Sequence, residues 1–328
     1  MMKLPTLAGK DVGHTGYGLM GFTWRQVPTS EPQYTEAMNT AISLGANFWN
    51  GGEIYGTPEH NSLHILRNYF AKHPEAAEKV VLSIKGGMIK GQLKPDGSEE
   101  NLRRSVDDCL SILDGTKEID IFECARLDPK YPVEETIGHL AKMVKEGKFK
   151  AIGLSEVDAE TIRRAHIVHP IASVEVELSL WTPDILKNGV ASTCAELGIP
   201  IVAYSPLGRG ALAGGVTKAS DLPEGDIRRN YPRFQDEAMA TNIIFIENVK
   251  SFAQRKGITA AQAALNWERT LSNSSNMPTI IPIPGATTKE RVMENMQTMP
   301  LFSAEEMREI DEMISASTII GGRYPPAH

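Results

Sequence analysis

Eight short apolar segments alternate with longer segments of helical periodicity, and this alternation restricts the fold more than any other feature of the chain. The apolar segments are short, are rich in β-branched and aromatic residues, and read as buried strands. They lie at Thr15–Leu19, Phe48–Asn50, Val80–Lys85, Ile119–Glu123, Ala151–Leu154, Ser173–Val176, Pro200–Tyr204 and Thr279–Pro282. The helical segments between and after them are Pro32–Ser43, Glu59–Tyr69, Ser98–Leu113, Val133–Glu146, Asp158–Val168, Asp184–Glu196, Ile243–Arg255 and Lys289–Met296.

Strands that alternate with helices lie parallel and are joined by right-handed crossovers. Eight such units in 328 residues are typical of a closed (β/α)8 barrel. We therefore predict a TIM barrel of class α/β as a single domain over residues 1–328, with an extra helix at Ala304–Ser315 and a tail at Gly321–His328. An open, doubly wound sheet is the alternative, but the glycine cluster Gly208–Gly214 does not follow the GxGxxG pattern of such folds.

The charge balance limits the partners that the chain can bind. Its 34 Lys and Arg residues are outnumbered by 41 Asp and Glu residues, and the net charge is −7. Proteins that bind nucleic acid or anionic membranes usually carry a basic excess or a basic stripe. We therefore expect a small-molecule ligand, with neither nucleic acid nor membrane as a partner.

From the sequence we expect neither a leader nor a membrane segment. Residues 1–5 lack the apolar stretch of a secretory signal, and no apolar run approaches the roughly eighteen residues that span a bilayer. Three cysteines are widely spaced and form no CxxC pair: Cys109, Cys124 and Cys194. This pattern favours a reducing compartment over a disulfide framework or a zinc cluster. We expect a cytoplasmic protein, with the nucleus as a second location.

Two histidines have the spacing of metal ligands. His60 and His64 are four residues apart, which places both imidazoles on one face of a helix. Neither an HExxH motif nor a third ligand accompanies them. A solvated pair is the better interpretation, and we expect no metal site.

A long segment without regular periodicity, residues 205–240, follows the seventh strand candidate and is rich in glycine, proline and charge. Loops of this length in compact domains are usually functional or disordered. This loop would leave the barrel at the end where TIM barrels carry their active sites. We expect it to cover a ligand, and a passive surface insertion is the alternative.

Two strand ends deliver residues suited to acid–base chemistry. Tyr55 follows the second strand candidate, and Lys85 ends the third. A nearby ammonium favours the phenolate and lowers the pKa of a tyrosine, which would make Tyr55 a better proton donor near neutral pH. The alternative is a loop tyrosine and a solvated lysine with no shared role.

Five motifs occur in an order and at a spacing that point to one family. They are Asn50–Gly56, Ser83–Lys85, Ile152–Glu156, Ala203–Leu207 and Ile283–Asn295. Together they resemble the aldo-keto reductase superfamily over nearly the whole chain. Two further segments, Trp49–Glu53 and Cys124–Arg126, look most similar to the fungal pyridoxal reductases. The resemblance implies a barrel enzyme that transfers hydride from a bound nicotinamide to a carbonyl carbon.

The resemblance also assigns catalytic roles. Tyr55 would protonate the carbonyl oxygen and Lys85 would tune it, while Asn50 stands where the family has an aspartate. That aspartate would hold the lysine and raise the tyrosine pKa. Without it, we expect an uncompensated Lys85 ammonium to lower the pKa of Tyr55 further. If burial discharges Lys85 instead, this benefit is lost.

A histidine of the family is absent, and Ala125 stands at its position. A donor to a reacting oxygen in a dry site can be worth about 3 kcal/mol. The ring hydroxyl beside the aldehyde of a pyridoxal-like substrate could donate internally, and Ala125 would leave room for the substituted ring. Arg126, Glu123 or an ordered water are the alternative donors.

Aromatic residues of the terminal segments are candidates for the wall of a ring-binding pocket at the barrel mouth. They are Phe22, Trp24 and Tyr324, which would join Ala125 and Arg126 in a substrate pocket. Packing within the core is the alternative interpretation.

The resemblance further implies an NADP(H) site. Tyr204 matches an aromatic residue that stacks on the nicotinamide. Ser155 and Glu175 match the pair that holds the carboxamide, where the family usually has glutamine in place of Glu175. The residues that suit the pyrophosphate are Ser205, Leu207, Gly208, Arg209 and Gly210. The residues that would reach the adenosine end, with a basic pair that favours the 2′-phosphate of NADP, are Lys289, Arg291 and Asn295.

These matches imply an NADPH-dependent reductase of an aldehyde, with the conversion of pyridoxal to pyridoxine as the expected reaction. A broad-specificity aldehyde or ketone reductase is the alternative enzyme. A non-catalytic NADP-binding regulatory subunit is the alternative outside catalysis, since it would bind the cofactor and turn over no carbonyl.

Overall fold

The computed structural model describes residues 3–325, and within that range the predicted barrel is confirmed. Eight parallel strands form one sheet in which each strand pairs with the next one along the chain. They are β1 (Tyr17–Gly18), β2 (Phe48–Gly52), β3 (Val81–Gly86), β4 (Ile121–Cys124), β5 (Ala151–Ser155), β6 (Ile171–Glu177), β7 (Ile201–Tyr204) and β8 (Ile280–Pro282).

The barrel closes between β1 and the segment formed by β8 and the residues that follow it. The amide of Gly16 donates to the carbonyl of Pro282 at 2.9 Å, and Gly18 forms a parallel bridge with Gly285. A glycine is required at the first of these positions, because a Cβ on Gly16 would lie 2.8 Å from the side chain and carbonyl of Phe48. The sheet therefore has no open edge at this seam.

Helices connect the strands and cover the outside of the barrel. They are α1 (Met20–Thr23), α2 (Glu31–Ser43), α3 (Ser62–Lys72), α4 (Pro74–Lys79), α5 (Glu99–Leu113), α6 (Val133–Lys145), α7 (Ala159–Val168), α8 (Val190–Leu197), α9 (Asp236–Arg255), α10 (Ala260–Ser272), α11 (Lys289–Met296) and α12 (Ala304–Ala316). Two short antiparallel strand pairs join Thr6–Leu7 to Lys10–Asp11 and Gly56–Thr57 to His60–Asn61. Between residues 3 and 325, no helix is both long and apolar enough to cross a membrane.

Two predicted helices differ from the structure for local reasons. The helix expected from Glu59 begins at Ser62, because residues 60–61 pair as a strand and the Asn61 side chain accepts the amide of Leu63 as a helix cap. The helix expected over 184–196 is interrupted, because Gly189 adopts a φ of 93° between a 3₁₀ turn and α8. A left-handed residue does not continue a right-handed helix.

The segment after β7 is folded against the barrel. Its turns of 3₁₀ helix lie at Gly208–Ala213, Ala219–Asp221, Ile227–Asn230 and Pro232–Phe234. Leu212, Leu222 and Phe234 are buried along it. The following helix, α9, starts at Asp236 and so begins before the predicted Ile243. Buried apolar side chains of the loop therefore hold it against the rest of the protein.

The barrel interior has an apolar layer and a polar layer, because alternate residues of each strand point inward. The apolar layer lies toward the start of the strands and includes Phe48, Val81, Ile121, Val202 and Ile281. Further along the strands, the inward positions are polar, and they include Asn50, Lys85, Glu123, Ser155 and Glu175. Buried polar groups therefore gather toward the mouth at which TIM barrels carry their active sites.

The outward faces of the strands pack beneath the helices, and Trp49 on β2 lies at the centre of one such contact. Its side chain is fully buried and stacks on Phe70 of α3 with ring centroids 5.7 Å apart. Its indole N–H donates to the carbonyl of Ala46 at 2.8 Å. The ring therefore joins strand, helix and the preceding turn.

Replacement of Trp49 by alanine should lower the free energy of unfolding by about 3–5 kcal/mol, because it removes a buried ring and leaves a cavity. Urea titration followed by circular dichroism measures this change. The matched control is Ile167→Ala, since the Ile167 side chain is 84% exposed and its loss should change the midpoint little. Equal midpoints for wild type and Trp49→Ala would contradict the assignment of Trp49 to the core.

Candidate active site

The turn after β2 fixes Tyr55 at the barrel mouth. The hydroxyl of Thr23 donates to the carbonyl of Tyr55. At the start of the turn, the hydroxyl of Ser62 accepts the amide of Gly52 at 2.9 Å and donates to its carbonyl at 3.0 Å. Tyr55 is 7% exposed. Its backbone is therefore held from two helices, and its phenol has little freedom.

A chain of buried polar contacts runs from Tyr55 to Lys85. The Tyr55 hydroxyl lies 3.4 Å from Oδ1 of Asn50, and Nδ2 of Asn50 donates to Oε2 of Glu175 at 2.7 Å. The Lys85 ammonium donates to the other oxygen of that carboxylate. The structure thus brings the three predicted catalytic residues together and adds Glu175 to them.

The expectation that Lys85 is uncompensated is wrong, because Glu175 pairs with it. Burial opposes the charged form of Lys85, but Glu175, Tyr55 and Glu123 together outweigh this and raise the pKa of the lysine above its ordinary value. Lys85 therefore stays an ammonium, and the alternative of a neutral lysine is also wrong.

The predicted lowering of the Tyr55 pKa is likewise wrong for the free protein. Burial raises the pKa of Tyr55 to about 12. The Lys85 charge lowers it, while the carboxylates of Glu175 and Glu123 add to the rise. Desolvation of the phenolate outweighs the single nearby cation, so Tyr55 holds its proton at neutral pH.

Glu123 is a second carboxyl in the same interior layer. It pairs in register with Lys85 across β3 and β4 and is fully buried. Neither of its oxygens has a hydrogen-bond partner among residues 3–325. Burial and the neighbouring Glu175 raise the pKa of Glu123 well above its usual range. Glu123 therefore binds a proton more readily than a free carboxyl does, and Glu175 is the side chain that contacts the Lys85 ammonium.

Of the three residues predicted to meet a nicotinamide, Ser155, Glu175 and Tyr204, Ser155 has a hydrogen-bonding group for it that is free within residues 3–325. Ser155 ends β5 and is the register partner of Glu175, two residues before the end of β6, and Tyr204 ends β7. The Ser155 hydroxyl is buried without a partner among the described residues, so a carboxamide could satisfy it. The Glu175 carboxylate already receives Asn50 and Lys85. Ser155 is thus the open contact of the predicted pair.

The residues predicted to hold the pyrophosphate lie directly after β7. Gly208, Arg209 and Gly210 have positive φ angles of 56°, 57° and 92°. The Arg209 guanidinium donates to Glu177 at 2.9 Å and lies over the ring of Tyr231 at 4.5 Å. Arg209 is thus held in the loop by a carboxylate, while Ser205 and Leu207 form the turn before it.

The adenosine-end candidates lie on α11. The Arg291 side chain is 56% exposed and donates to Glu294 at 2.8 Å. Lys289 lies 3.4 Å from Glu36 of α2, whereas Asn295 is buried against the protein. Two solvent-facing cations therefore stand at this end, each beside a surface carboxylate that offers weak competition for a ligand.

The C-terminal segment crosses the barrel mouth, so the interpretation of Gly321 onward as a simple tail is wrong for residues 321–325. The hydroxyl of Tyr324 lies 2.5 Å from that of Tyr204 and accepts the Arg126 guanidinium at 3.1 Å. Arg323 donates to Glu156 at 2.7 Å. The Glu156 carboxylate, directly after β5, therefore holds the segment in place. Residues 326–328 of the predicted tail lie outside the described residues.

Glu177 is a site residue that the sequence interpretation missed. It ends β6, accepts Arg209 and lies 3.4 Å from Arg323, so it joins the loop after β7 to the C-terminal segment. The period of two along β6 places Glu177 on the inward side with Ser173 and Glu175. That alternation was the signal that could have identified it.

The proposed substrate pocket is partly assembled. The ring of Trp24 lies 5.9 Å from that of Tyr55, and Ala125 follows β4 with its amide bonded to the carbonyl of Gly86. Arg126 lies beside it under Tyr324. The placement of Phe22 at the mouth is wrong, because its fully buried ring packs in the core below.

The histidine pair does not form part of this site. His60 is exposed, and Nδ1 of His64 accepts the amide of Asn61 at 3.2 Å as part of the α3 cap. Within residues 3–325, no three His, Cys, Asp or Glu side chains are placed to hold a metal ion.

Solved structures share this architecture. A glycerol dehydrogenase from Gluconobacter oxydans superposes with a TM-score of 0.81 over 100% of this chain and 98% of its own, at 20% identity. This likeness supports the barrel fold.

Sequence comparison is more specific. "Probable pyridoxal reductase 2" of Schizosaccharomyces pombe is 41% identical over 327 residues, covering 98% of this chain and 97% of that protein. "Putative pyridoxal reductase" of Saccharomyces cerevisiae is 38% identical over 338 residues, covering 95% and 96%. The model of the Aldo/keto reductase family matches residues 15–315. This chain therefore belongs to the aldo/keto reductase family and is an oxidoreductase that acts on aldehyde and alcohol groups.

Proposed function

We propose that the protein reduces pyridoxal to pyridoxine with NADPH, with Tyr55 as the proton donor and Lys85 as the residue that tunes it. The observation that carries the proposal is the buried chain of contacts that links the Tyr55 hydroxyl to a charged lysine at the barrel mouth. Two relatives at 38–41% identity bear names of pyridoxal reductases, which supports the choice of substrate.

The chemistry of the proposal divides between cofactor and protein. A bound nicotinamide would supply hydride to the carbonyl carbon. Tyr55 holds the proton that the carbonyl oxygen requires, because burial keeps its phenol protonated. When that proton leaves, negative charge develops on the phenol, and the Lys85 ammonium stabilises it in a site from which water is largely excluded. Before the proton is transferred, Asn50 positions the Tyr55 hydroxyl.

Substrate choice rests on the position next to β4. Ala125 is buried and offers no side-chain donor to a carbonyl oxygen. An aldehyde with a hydroxyl on the adjacent ring carbon supplies its own hydrogen bond to that oxygen, and the small side chain accommodates the ring substituents. A pyridoxal-like aldehyde therefore matches both features, and Trp24 offers an aromatic face beside Tyr55.

Cofactor choice rests on the cations of α11. Both Lys289 and Arg291 reach solvent at the end of the barrel where the adenosine would lie. Both cations and the Glu36 partner are exposed while the Glu294 partner is half-buried, and solvent-exposed ion pairs contribute about 0–1 kcal/mol. The 2′-phosphate of NADP(H) can therefore displace these pairs and gain charge-assisted hydrogen bonds.

Replacement of Tyr55 by phenylalanine should lower kcat for pyridoxal about 100-fold or more and leave NADPH affinity near wild type, since positioned acid catalysis typically contributes about 10²–10⁴. Steady-state oxidation of NADPH measures the first quantity, and fluorescence titration the second. Tyr131→Phe is the matched control, because Tyr131 lies beside Gly97 and away from Tyr55. Normal turnover by Tyr55→Phe would remove Tyr55 as the acid. A wild type that binds NADPH and reduces no aldehyde would favour a regulatory subunit.

Replacement of Arg291 by alanine should weaken NADPH binding about tenfold or more while changing NADH binding less, since a hydrogen bond to a charged group contributes about 1.5–3 kcal/mol. Titration of both cofactors gives the ratio. Arg308→Ala on α12 removes the same charge from another exposed position and should leave the ratio unchanged. An equal loss for NADPH and NADH would assign Arg291 a structural role.

The wild type should prefer pyridoxal over a pyridine aldehyde without the ring hydroxyl, and Ala125→His should narrow this preference, because the histidine adds a donor and crowds the substituted ring. The measurement is kcat/KM for both aldehydes with both proteins. Equal kcat/KM values in the wild type would contradict internal donation, and Arg126 and Glu123 would become the candidate donors.

A further inference from the structure

The amide of Asn50 lies between an acceptor and a hydroxyl. Nδ2 of Asn50 donates to Glu175 at 2.7 Å, which turns Oδ1 toward the Tyr55 hydroxyl at 3.4 Å. A carboxylate can only accept hydrogen bonds, so an ionised Glu175 permits one orientation of the Asn50 amide. With that orientation, Tyr55 must donate its proton to Oδ1 in the resting protein. Glu175 thereby determines which group donates and which accepts in the hydrogen bonds from Asn50 to Tyr55.

The other oxygen of the Glu175 carboxylate balances Lys85. Both side chains are almost fully buried, and a buried ammonium without a counter-ion is costly. The remaining titratable groups that face the pair are Glu123, Tyr55 and Tyr204, whose ring lies 5.1 Å from the Lys85 ammonium. Burial and the neighbouring Glu175 raise the pKa of Glu123 well above its usual range, and Glu177 is bound to Arg209. Among these groups, Glu175 is the one whose carboxylate contacts the Lys85 ammonium.

We propose that Glu175 is a positioning residue of the reaction, which holds Lys85 in its charged form and, through Asn50, orients the hydroxyl of Tyr55. This inference rests on the proposed function in so far as Tyr55 is the proton donor. It assigns Glu175 a role in proton transfer, in place of a hydrogen bond to the cofactor carboxamide. Acid and amide thus act as a pair on facing strands, with the acid on β6 and the amide on β2.

Glu175→Gln removes the charge and keeps the shape of the side chain. The variant should lower kcat about tenfold or more and leave the Kd of NADPH within about twofold, because the contact acts on proton transfer and not on cofactor binding. Loss of a nearby anion lowers the pKa of Lys85 and that of Tyr55 alike. Reduction requires the ammonium and the protonated phenol, so the alkaline limb of the kcat profile should move to lower pH by about one unit or more.

The exchange of acid and amide provides the rescue. In Asn50→Asp/Glu175→Gln the charge moves by one hydrogen bond, from β6 to β2, and the amide at position 175 can donate to the new carboxylate. The double variant should recover at least threefold of the lost kcat and shift the alkaline limb back toward wild type. Asn50→Asp alone sets two carboxylates side by side, where repulsion should also lower kcat. Each single change should therefore be worse than the pair.

Glu268→Gln is the matched control, because Glu268 is a fully buried glutamate of α10 outside the contact chain. It should leave the pH profile unchanged, and an equal shift in this variant would overturn the inference. So would a Glu175→Gln protein with wild-type kcat and profile. A loss of kcat with an unshifted alkaline limb and no rescue by the double variant would reduce Glu175 to a packing role and overturn it as well.

The assays use whichever aldehyde and nicotinamide cofactor the wild type turns over, so failure with pyridoxal concerns the proposed function alone. If no aldehyde is reduced, a double-mutant cycle on the free energy of unfolding tests the charge arrangement without turnover. The double variant should then be more stable than either single variant. Additive effects of the two changes would show that positions 50 and 175 do not act as a pair.

Discussion

The ion pair between Lys85 and Glu175 determines the electrostatics of the barrel mouth. Both groups lie in the barrel interior, where the low dielectric makes an isolated charge costly and a paired charge stable. The pairing keeps Lys85 ionised in spite of its burial. The same low dielectric raises the pKa values of Tyr55 and Glu123, because burial disfavours the charged form of each. One cation and one carboxylate therefore organise the titratable groups around them.

The barrel makes this pairing possible because inward-facing residues of different strands converge. β3 and β6 are not neighbours in the sheet, yet their inward side chains meet across the interior. Below them, an apolar layer fills the barrel and excludes water from the pair. Above them, Tyr204, Arg126 and Tyr324 of the C-terminal segment cover the mouth. The reacting region is thus a short polar section between a dry core and an arginine-rich rim.

Two departures from the family pattern explain why the sequence predicted a Lys85 without a counter-ion. Asn50 replaces an expected aspartate, and Glu175 replaces an expected glutamine. Taken one position at a time, the first change leaves Lys85 without an anion and the second weakens a contact to the cofactor. Taken together in space, the two changes exchange acid and amide across a 2.7 Å hydrogen bond and preserve the number of charges. The two substitutions are meaningful only as a pair.

Local pattern determined much of this protein. Apolar periodicity identified the strands and their order, and it placed Tyr55, Lys85 and Asn50 at strand ends that share one edge, because parallel strands align their carboxyl ends. Tertiary structure alone decided which charges meet. Glu175 is 90 residues from Lys85, and Tyr324 is 120 residues from Tyr204. Periodicity reports which way a side chain faces, whereas partners across a barrel depend on register and closure, which long-range packing establishes.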